Sequence, residues 1–266
     1  VSPVEQCLVV RLQTEDPAGL TGRARTTNEH PTTSVVDNDA LLVRGRNVSK
    51  HGIEGRLRFA FRVHAEHHGG SLAMTEEGIA FQGAREVVLR VTAATSFVRF
   101  DDVSGDPEAI SLAQLVGARS KSLEALRKDH LAEHRRLFRR VQLDLGRTAA
   151  ADLPADERIE QFAHGQDPAL VALYHQYGRY LLISSSRPGT QPANLQGIWN
   201  DLMDPPWECK YTLNVNTEMN YWPSEANALA ECVEPLERML FELAQTGAVT
   251  ARDMYGASGW MAHNNT

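Results

Sequence analysis

Hydrophobic and polar positions alternate with a period of two from Gly55 to Ala65, which predicts a β-strand with one buried face. Gly69-Gly70 follows, and because glycine adopts positive φ at little cost, a hairpin turn is predicted there. Three further strands are predicted, at 71–74, 78–82 and 85–93. Short strands separated by glycine-containing turns are typical of an antiparallel β-sandwich.

The spacing of hydrophobic residues becomes helical after Asp106. Asp106 is a suitable N-cap and Pro107 suits a first helical turn, so we predict one long helix that continues to about Arg140. Alternation from Val141 to Leu145 then predicts a short return strand. We therefore assign 1–104 to part of an N-terminal β-sandwich domain and 105–153 to a helical linker with its return strand.

The remaining segment, 154–266, is predicted to alternate helices with long loops. Asp156–His164 is one predicted helix, and Asp167-Pro168 begins a longer one. After the long loop that starts at Ser184, three more helices are predicted, at 223–231, 234–245 and 249–255, with Gly247 ending the second. The chain is thus an α+β multidomain protein in which helices pack side by side and loops at one end build the site.

Composition narrows the class of partner. The 266 residues are 42% hydrophobic and 23% charged, with 27 Lys and Arg against 34 Asp and Glu, a formal net charge of −7. Nucleic-acid binders usually carry a clustered positive excess, and no apolar run approaches the roughly 18–20 residues that span a bilayer. We therefore expect neither nucleic acid nor a membrane as a partner.

Neither the cysteines nor the histidines form a recognisable site. Cys7, Cys209 and Cys232 contain no C-x-x-C pair, so buried free thiols are expected, with one disulfide as the alternative. His64 and His67-His68 match no common ligand spacing, so a solvated hairpin end is favoured over a metal site. We expect no metal and no cofactor.

The loops of the second half combine aromatic and amide side chains. Three of the four tryptophans lie between Ser184 and Cys232, in a loop too rich in proline and glycine to be regular helix. Aromatic rings cover the apolar faces of sugars, and amides bond their hydroxyls, so the cluster suggests carbohydrate binding. The alternative is that the amides cap turns and the aromatic rings fill a core. The polar members are Asn194, Gln196, Asn200, Asn214, Asn216, Asn220, His263, Asn264 and Asn265.

Four segments make the sequence recognisable. They are Arg187-Pro-Gly-Thr-Gln-Pro-Ala-Asn-Leu-Gln-Gly-Ile-Trp-Asn200, Pro205-Pro-Trp207, Lys210-Tyr-Thr-Leu-Asn-Val-Asn-Thr-Glu-Met-Asn-Tyr-Trp-Pro223 and Met254-Tyr-Gly-Ala-Ser-Gly-Trp260 with His263-Asn-Asn-Thr266. Over about 86–266 the chain closely resembles glycoside hydrolase family 95, mainly α-L-fucosidases that act on α-1,2-linked fucose, with some α-L-galactosidases. The resemblance implies a β-sandwich, a helical linker and the first helices of an (α/α)6 catalytic barrel.

The resemblance also assigns roles to residues. It implies an inverting mechanism in which Asn214 and Asn216 match the catalytic asparagine pair, while the Glu acid and an assisting Asp are expected beyond Thr266. Trp260 and His263 resemble sugar-contacting positions, and the other two candidate substrate-binding residues, Trp207 and Trp222, are equally suited to structural walls. Glu218 is expected to orient neighbouring loops.

The geometry expected of the asparagine pair follows from its spacing. Positions two apart in an extended segment point the same way, so both amides would address one water.

The expected function is hydrolysis of a terminal α-L-fucosyl or α-L-galactosyl residue of an oligosaccharide or polysaccharide. The alternative is a non-hydrolytic carbohydrate-binding protein on the same scaffold; a metal-dependent hydrolase that uses the histidines is a remote third. Neither end of the chain resembles a natural terminus, so we expect a fragment of a larger enzyme. The polymeric substrates of the family suggest a secreted or periplasmic enzyme. Because the resemblance places the general acid beyond Thr266, we expect the fragment to be inactive alone. The sequence does not indicate an oligomeric state.

Overall fold

The computed structural model describes residues 1–163 and 165–266 and divides the chain into two compact units, Val1–Glu133 and His134–Thr266. The first unit contains eight β-strands. They are β1 (Cys7–Gln13), β2 (Leu20–Ala24), β3 (Thr32–Asp37), β4 (Ala40–Arg46), β5 (Arg58–His68), β6 (Ser71–Thr75), β7 (Gly78–Ala84) and β8 (Glu86–Thr95). All the pairings between them are antiparallel.

The strands form two sheets. One has the order β1-β8-β5-β4-β3 and the other the order β2-β7-β6. Their inner faces enclose one core, to which Leu41 and Val63 contribute from the larger sheet and Ile79 from the smaller. The predicted strands β5 to β8 and the β-sandwich are confirmed, whereas β1 to β4 were not predicted.

Seven α-helices follow the strands in the part of the chain that the structure describes. They are α1 (Pro107–Arg119), α2 (Leu123–Phe138), α3 (Ala155–Gln161), α4 (Pro168–Ser185), α5 (Asn216–Tyr221), α6 (Pro223–Ala226) and α7 (Glu234–Tyr255). The predicted helix Asp156–His164 corresponds to α3, and its predicted last residue, His164, lies outside the described residues. No helix in the described ranges is long and apolar enough to cross a membrane.

The single helix predicted from Asp106 to Arg140 is wrong, because the helix is interrupted between α1 and α2 by the three residues 120–122, which begin and end with serine. Ser120 ends α1 by donating its hydroxyl to the carbonyl of Gly117 (2.7 Å), and the Ser122 hydroxyl accepts the N–H of Ala125 (3.2 Å). Both bonds satisfy backbone groups that a helix end leaves free. Asp106 caps α1 as predicted, accepting from two backbone N–H groups.

The helix α1 packs against the outer face of β5 and β8, so the prediction that only one face of β5 is buried is also wrong. On that outer face Arg62 and His64 are 3% and 4% exposed. Arg62 is paired with Asp37 at 2.6 Å. His64 therefore lies under a helix rather than at a solvated hairpin end, while His67 and His68 are exposed.

The predicted return strand at Val141–Leu145 does not form; the structure gives this segment no regular secondary structure. The carbonyl of Val141 instead accepts from Arg179 (3.0 Å) and Gln176 (3.1 Å), two side chains of α4. Arg179, 2% exposed, also donates to the carbonyls of Leu137 (3.1 Å) and Phe138 (2.6 Å) at the end of α2. A buried side chain thus satisfies the carbonyl that a strand partner would have needed.

Candidate active site

The second unit contains a groove of about 680 Å³. This volume is in the range of small-molecule binding sites. One wall is the apolar side of α7, where Leu236, Leu240 and Leu243 lie. The other walls are two loop segments, 213–218 and 260–264. Its polar side chains are Asn214, Thr217, Glu218, His263 and Asn264, beside the ring of Trp260.

Backbone pairing brings the two loop segments together. Tyr211 and Thr266 exchange N–H···O bonds of 3.0 and 3.1 Å, and the N–H of Leu213 donates to the carbonyl of Asn264 (2.7 Å). This short antiparallel pairing places the residue after Leu213 next to the residue before Asn264. Asn214 and His263 therefore lie at facing positions although 49 positions in the chain separate them.

A second backbone contact fixes the segment 260–264 against α7. Gly256, at φ 60°, ends α7 by donating to the carbonyl of Arg252 (3.0 Å), and the chain turns back along the helix. The N–H of Met261 then reaches the carbonyl of Gly247 (3.2 Å) in the middle of α7. A Cβ at Gly247 would lie 2.4 Å from the carbonyl oxygen of Met261. Gly247 allows this approach, so the predicted helix end there is wrong: α7 continues to Tyr255.

Asn214 and Asn216 do not lie on one face of an extended segment. Asn214 belongs to a turn closed by the N–H of Thr217 on the carbonyl of Thr212 (2.9 Å), and Asn216 is the first residue of α5. Asn214 is exposed and lines the groove, whereas Asn216 is half-buried and outside its lining. Neither amide bonds to any residue that the structure describes, so both retain their hydrogen-bonding groups.

The four aromatic and histidine candidates separate into two pairs. Trp260 and His263 both line the groove with Asn214. Trp207, on a short 3₁₀ turn, is 76% exposed, and Trp222, between α5 and α6, is 65% exposed; neither lines the groove. The structure therefore brings together three of the six predicted site residues.

A buried hydroxyl network anchors α5 behind the groove. The hydroxyl of Ser186 donates to the carbonyl of Cys232 (2.7 Å), so the Tyr221 hydroxyl is the donor in its 2.8 Å bond to Ser186. The Tyr221 oxygen in turn accepts from the N–H of Ala193 (2.9 Å). Burial raises the pKa of the Tyr221 phenol, which favours this neutral donor. The long loop is thereby tied to the helix that follows Asn214.

Three of the amides bond to backbone groups, as the alternative interpretation expected, and a fourth bonds to a side chain. Asn194 accepts from the N–H of Gln196 (2.9 Å) and Asn200 from that of Leu202 (3.1 Å), while Asn220 donates to the carbonyl of Asn194 (3.1 Å). Gln196 accepts from the thiol of Cys209. The loop owes its shape to these bonds, and the amides left for a ligand are those near the groove.

The cysteines are free thiols, with Cys7 and Cys232 buried and Cys209 half-buried. Over the described ranges, no three His, Cys, Asp or Glu side chains are arranged to hold a metal ion.

Comparison with known families decides the classification of the chain. The sequence model of the glycosyl hydrolase family 95 catalytic domain matches residues 122–266. The chain belongs to glycosyl hydrolase family 95. A second model, the N-terminal domain of glycosyl hydrolase family 65, matches residues 1–99, which hold the β-sandwich. The groove and all six candidate residues lie within the family 95 match.

Relatives of the chain include proteins named as fucosidases. The chain is 39% identical over 218 residues to "Alpha-L-fucosidase 2" of Arabidopsis thaliana, a match that covers 78% of this chain and 26% of that protein. It is 34% identical over 194 residues to "Probable alpha-fucosidase A" of Aspergillus niger, covering 69% and 24%. The chain thus spans about a quarter of the length of these curated relatives.

One residue of the family 95 groove escaped the sequence analysis. Glu218 was expected to orient neighbouring loops, yet it is exposed, lines the groove, and its side chain bonds to no described residue. No helical spacing rule would have found it, because Asn214 lies in the turn before α5 and Glu218 lies inside the helix.

Proposed function

We propose that this chain forms part of a glycoside hydrolase that removes terminal α-L-fucosyl residues from oligosaccharides or polysaccharides, with α-L-galactosyl as the related sugar. The observation that carries the proposal is the convergence of Asn214, Trp260 and His263 on one groove within the family 95 match. An aromatic ring beside free amide and imidazole groups suits a sugar, which presents an apolar face and a set of hydroxyls. The names of the relatives support fucose as that sugar.

The proposed mechanism is inversion at the anomeric carbon. Inverting glycosidases need an acid for the leaving oxygen and a group that directs water to the opposite face. An amide is almost non-basic and a poor nucleophile, but its oxygen orients water well. We assign that role to the pair Asn214 and Asn216, with Asn214 as the member that faces the groove.

We propose that the 266-residue chain by itself does not hydrolyse fucosides. Among the described residues that line the groove, Glu218 is the one carboxylate, so acid and assisting carboxylate are not both present. Absence of general acid catalysis typically costs about 10²–10⁴ in rate. Release of fucose from 2'-fucosyllactose by the purified chain would contradict this.

Sugar binding tests the proposed substrate class directly. Titration of the chain with L-fucose, followed by saturation-transfer NMR, should give a signal that Trp260→Ala abolishes. The enantiomer D-fucose has the same composition and polarity and serves as the control. Equal signals from both enantiomers, or none from L-fucose, would refute the proposal.

Hydrolysis and its stereochemistry require a longer protein. We would replace the matching segment of the Arabidopsis relative with residues 122–266 and follow 2'-fucosyllactose cleavage by proton NMR, with the parent protein as control. The β-anomer of L-fucose should appear first. An initial α-anomer would mean double displacement and would remove the water-directing role of the asparagines; binding without turnover would favour the non-hydrolytic alternative.

We further propose that the protein is secreted or periplasmic, because glycan substrates of this class lie outside the cytoplasm. Fractionation of the native host, with the protein found in the cytoplasm, would contradict this.

A further inference from the structure

Glu218 presents a carboxylate to the groove from the first turn of α5. It is exposed and lines the groove together with Asn214, four positions earlier. Both residues line one groove, so the amide and the carboxylate address the same space. Trp260 and His263 line that space from the other loop segment.

Several carboxylates of the second unit are held by partners within the fold. Glu208 is paired with Lys210 (2.6 Å), Glu231 with Arg140 (2.6 Å), and Glu234 accepts the N–H of Gly189 (3.0 Å). The side chain of Glu218, in contrast, makes no hydrogen bond or ion pair with the part of the chain that the structure describes. Its position in the groove is therefore not explained by a role in holding the fold together.

The chemistry of a free carboxylate in such a groove is selective. Its two oxygens accept hydrogen bonds but donate none, and they suit two neighbouring hydroxyl groups. A sugar ring offers such vicinal pairs, whereas a phosphate or another anion would be repelled. Bonds to a charged acceptor are roughly twice as strong as neutral ones, so loss of the charge should be measurable.

We propose that Glu218 is a sugar-binding residue that accepts hydrogen bonds from two vicinal hydroxyls of the fucosyl unit. This inference rests on the proposed function and deepens it, since it adds a residue that selects for a diol. Glu218 acts on binding, while the asparagines act on the attacking water.

The test compares L-fucose affinity of the chain with that of Glu218→Gln, which keeps the shape and loses the charge and one acceptor. The dissociation constant should rise about tenfold, the lower range for a charged hydrogen bond in an open site. Glu225→Gln is the matched control, because Glu225 is also exposed and unpaired among the described residues but lies outside the groove lining. It should leave the affinity unchanged.

Deoxy sugars distinguish a direct contact from an indirect one. The Glu218→Gln penalty should shrink for whichever of 2-, 3- and 4-deoxy-L-fucose lacks a bonded hydroxyl, and persist for the others. Affinity within twofold of the unaltered chain, or one penalty for every sugar, would overturn the inference. Absence of L-fucose binding by the unaltered chain would instead refute the proposed function. Unchanged circular dichroism and thermal unfolding are expected for both variants.

Discussion

The substitution Gly247→Ala tests how the groove is held together. The added Cβ would lie 2.4 Å from the carbonyl oxygen of Met261 and 3.2 Å from its backbone nitrogen. Backbone atoms cannot rotate away as a side chain can, so the segment 260–264 must move by several tenths of an ångström or more. That movement strains the bond from the Met261 N–H to the Gly247 carbonyl (3.2 Å).

The expected magnitude combines opposing effects. Overpacking costs about 1–3 kcal/mol, and a lost hydrogen bond costs about 0.5–1.5 kcal/mol. Replacing a helix-interior glycine by alanine returns about 0.5–1 kcal/mol. We therefore expect Gly247→Ala to lower the free energy of unfolding of the second unit by about 1–3 kcal/mol.

The assay is denaturant unfolding of the chain, with Trp260 emission as a local probe in a background where the other three tryptophans are phenylalanine. Gly178→Ala is the control, because Gly178 is also inside a helix but a Cβ there meets nothing within 4 Å. It should stabilise by about 0.5–1 kcal/mol. If Gly247→Ala stabilises equally and leaves Trp260 emission unchanged, the close approach does not hold the groove.

Three further predictions follow from the structure. In the Arabidopsis relative that carries residues 122–266 of this chain, Asn214→Gly or Asn216→Gly should lower kcat and kcat/KM together, since orienting the attacking water matters chiefly in the transition state. A rise in KM alone would make them binding residues. Burial is the main cause that lowers the pKa of His64, and the positive charge of Arg119 is the second. Below about pH 6.5 the unfolded chain therefore protonates this imidazole more readily than the folded chain does. Stability should then fall from pH 7.5 to 5.5 by urea unfolding, less in His64→Gln. Arg179→Met should lower the free energy of unfolding by about 3 kcal/mol, and Arg179→Lys should lower it by less. Calorimetry that shows both variants unchanged would contradict this.

The features that the sequence predicted best are those that depend on residues close together in the chain. Alternation over β5 and the glycine pair after it depend on neighbours in the chain, as does the cap at Asp106. The same signals could not show that α1 covers the polar side of β5, because helix placement on a sheet is a tertiary event. Consequently His64 was expected in solvent and is buried.

Two of the wrong predictions have their cause in long-range contacts. Val141 alternates with Leu143 as a strand would, but Arg179 and Gln176 occupy its carbonyl. Gly247 would ordinarily end a helix, but here it stays inside one because another backbone passes over it. Propensity describes what an isolated segment prefers, and in each case a distant group changed the choice.

The motif from Asn214 to Tyr221 shows how family resemblance and geometry complement each other. Resemblance identified the asparagine pair but carried no information on which residues share a side, and an extended segment was assumed. As a turn followed by helix, the motif places Asn214 in the turn, and within α5 it buries Thr217 and Tyr221 and exposes Glu218. The hydroxyl bonds of Tyr221 fix the buried side of α5, and that anchoring orients the exposed side. Glu218 lines the groove with Asn214, because the segment is helical from Asn216 onward and has a period of about 3.6 rather than two there.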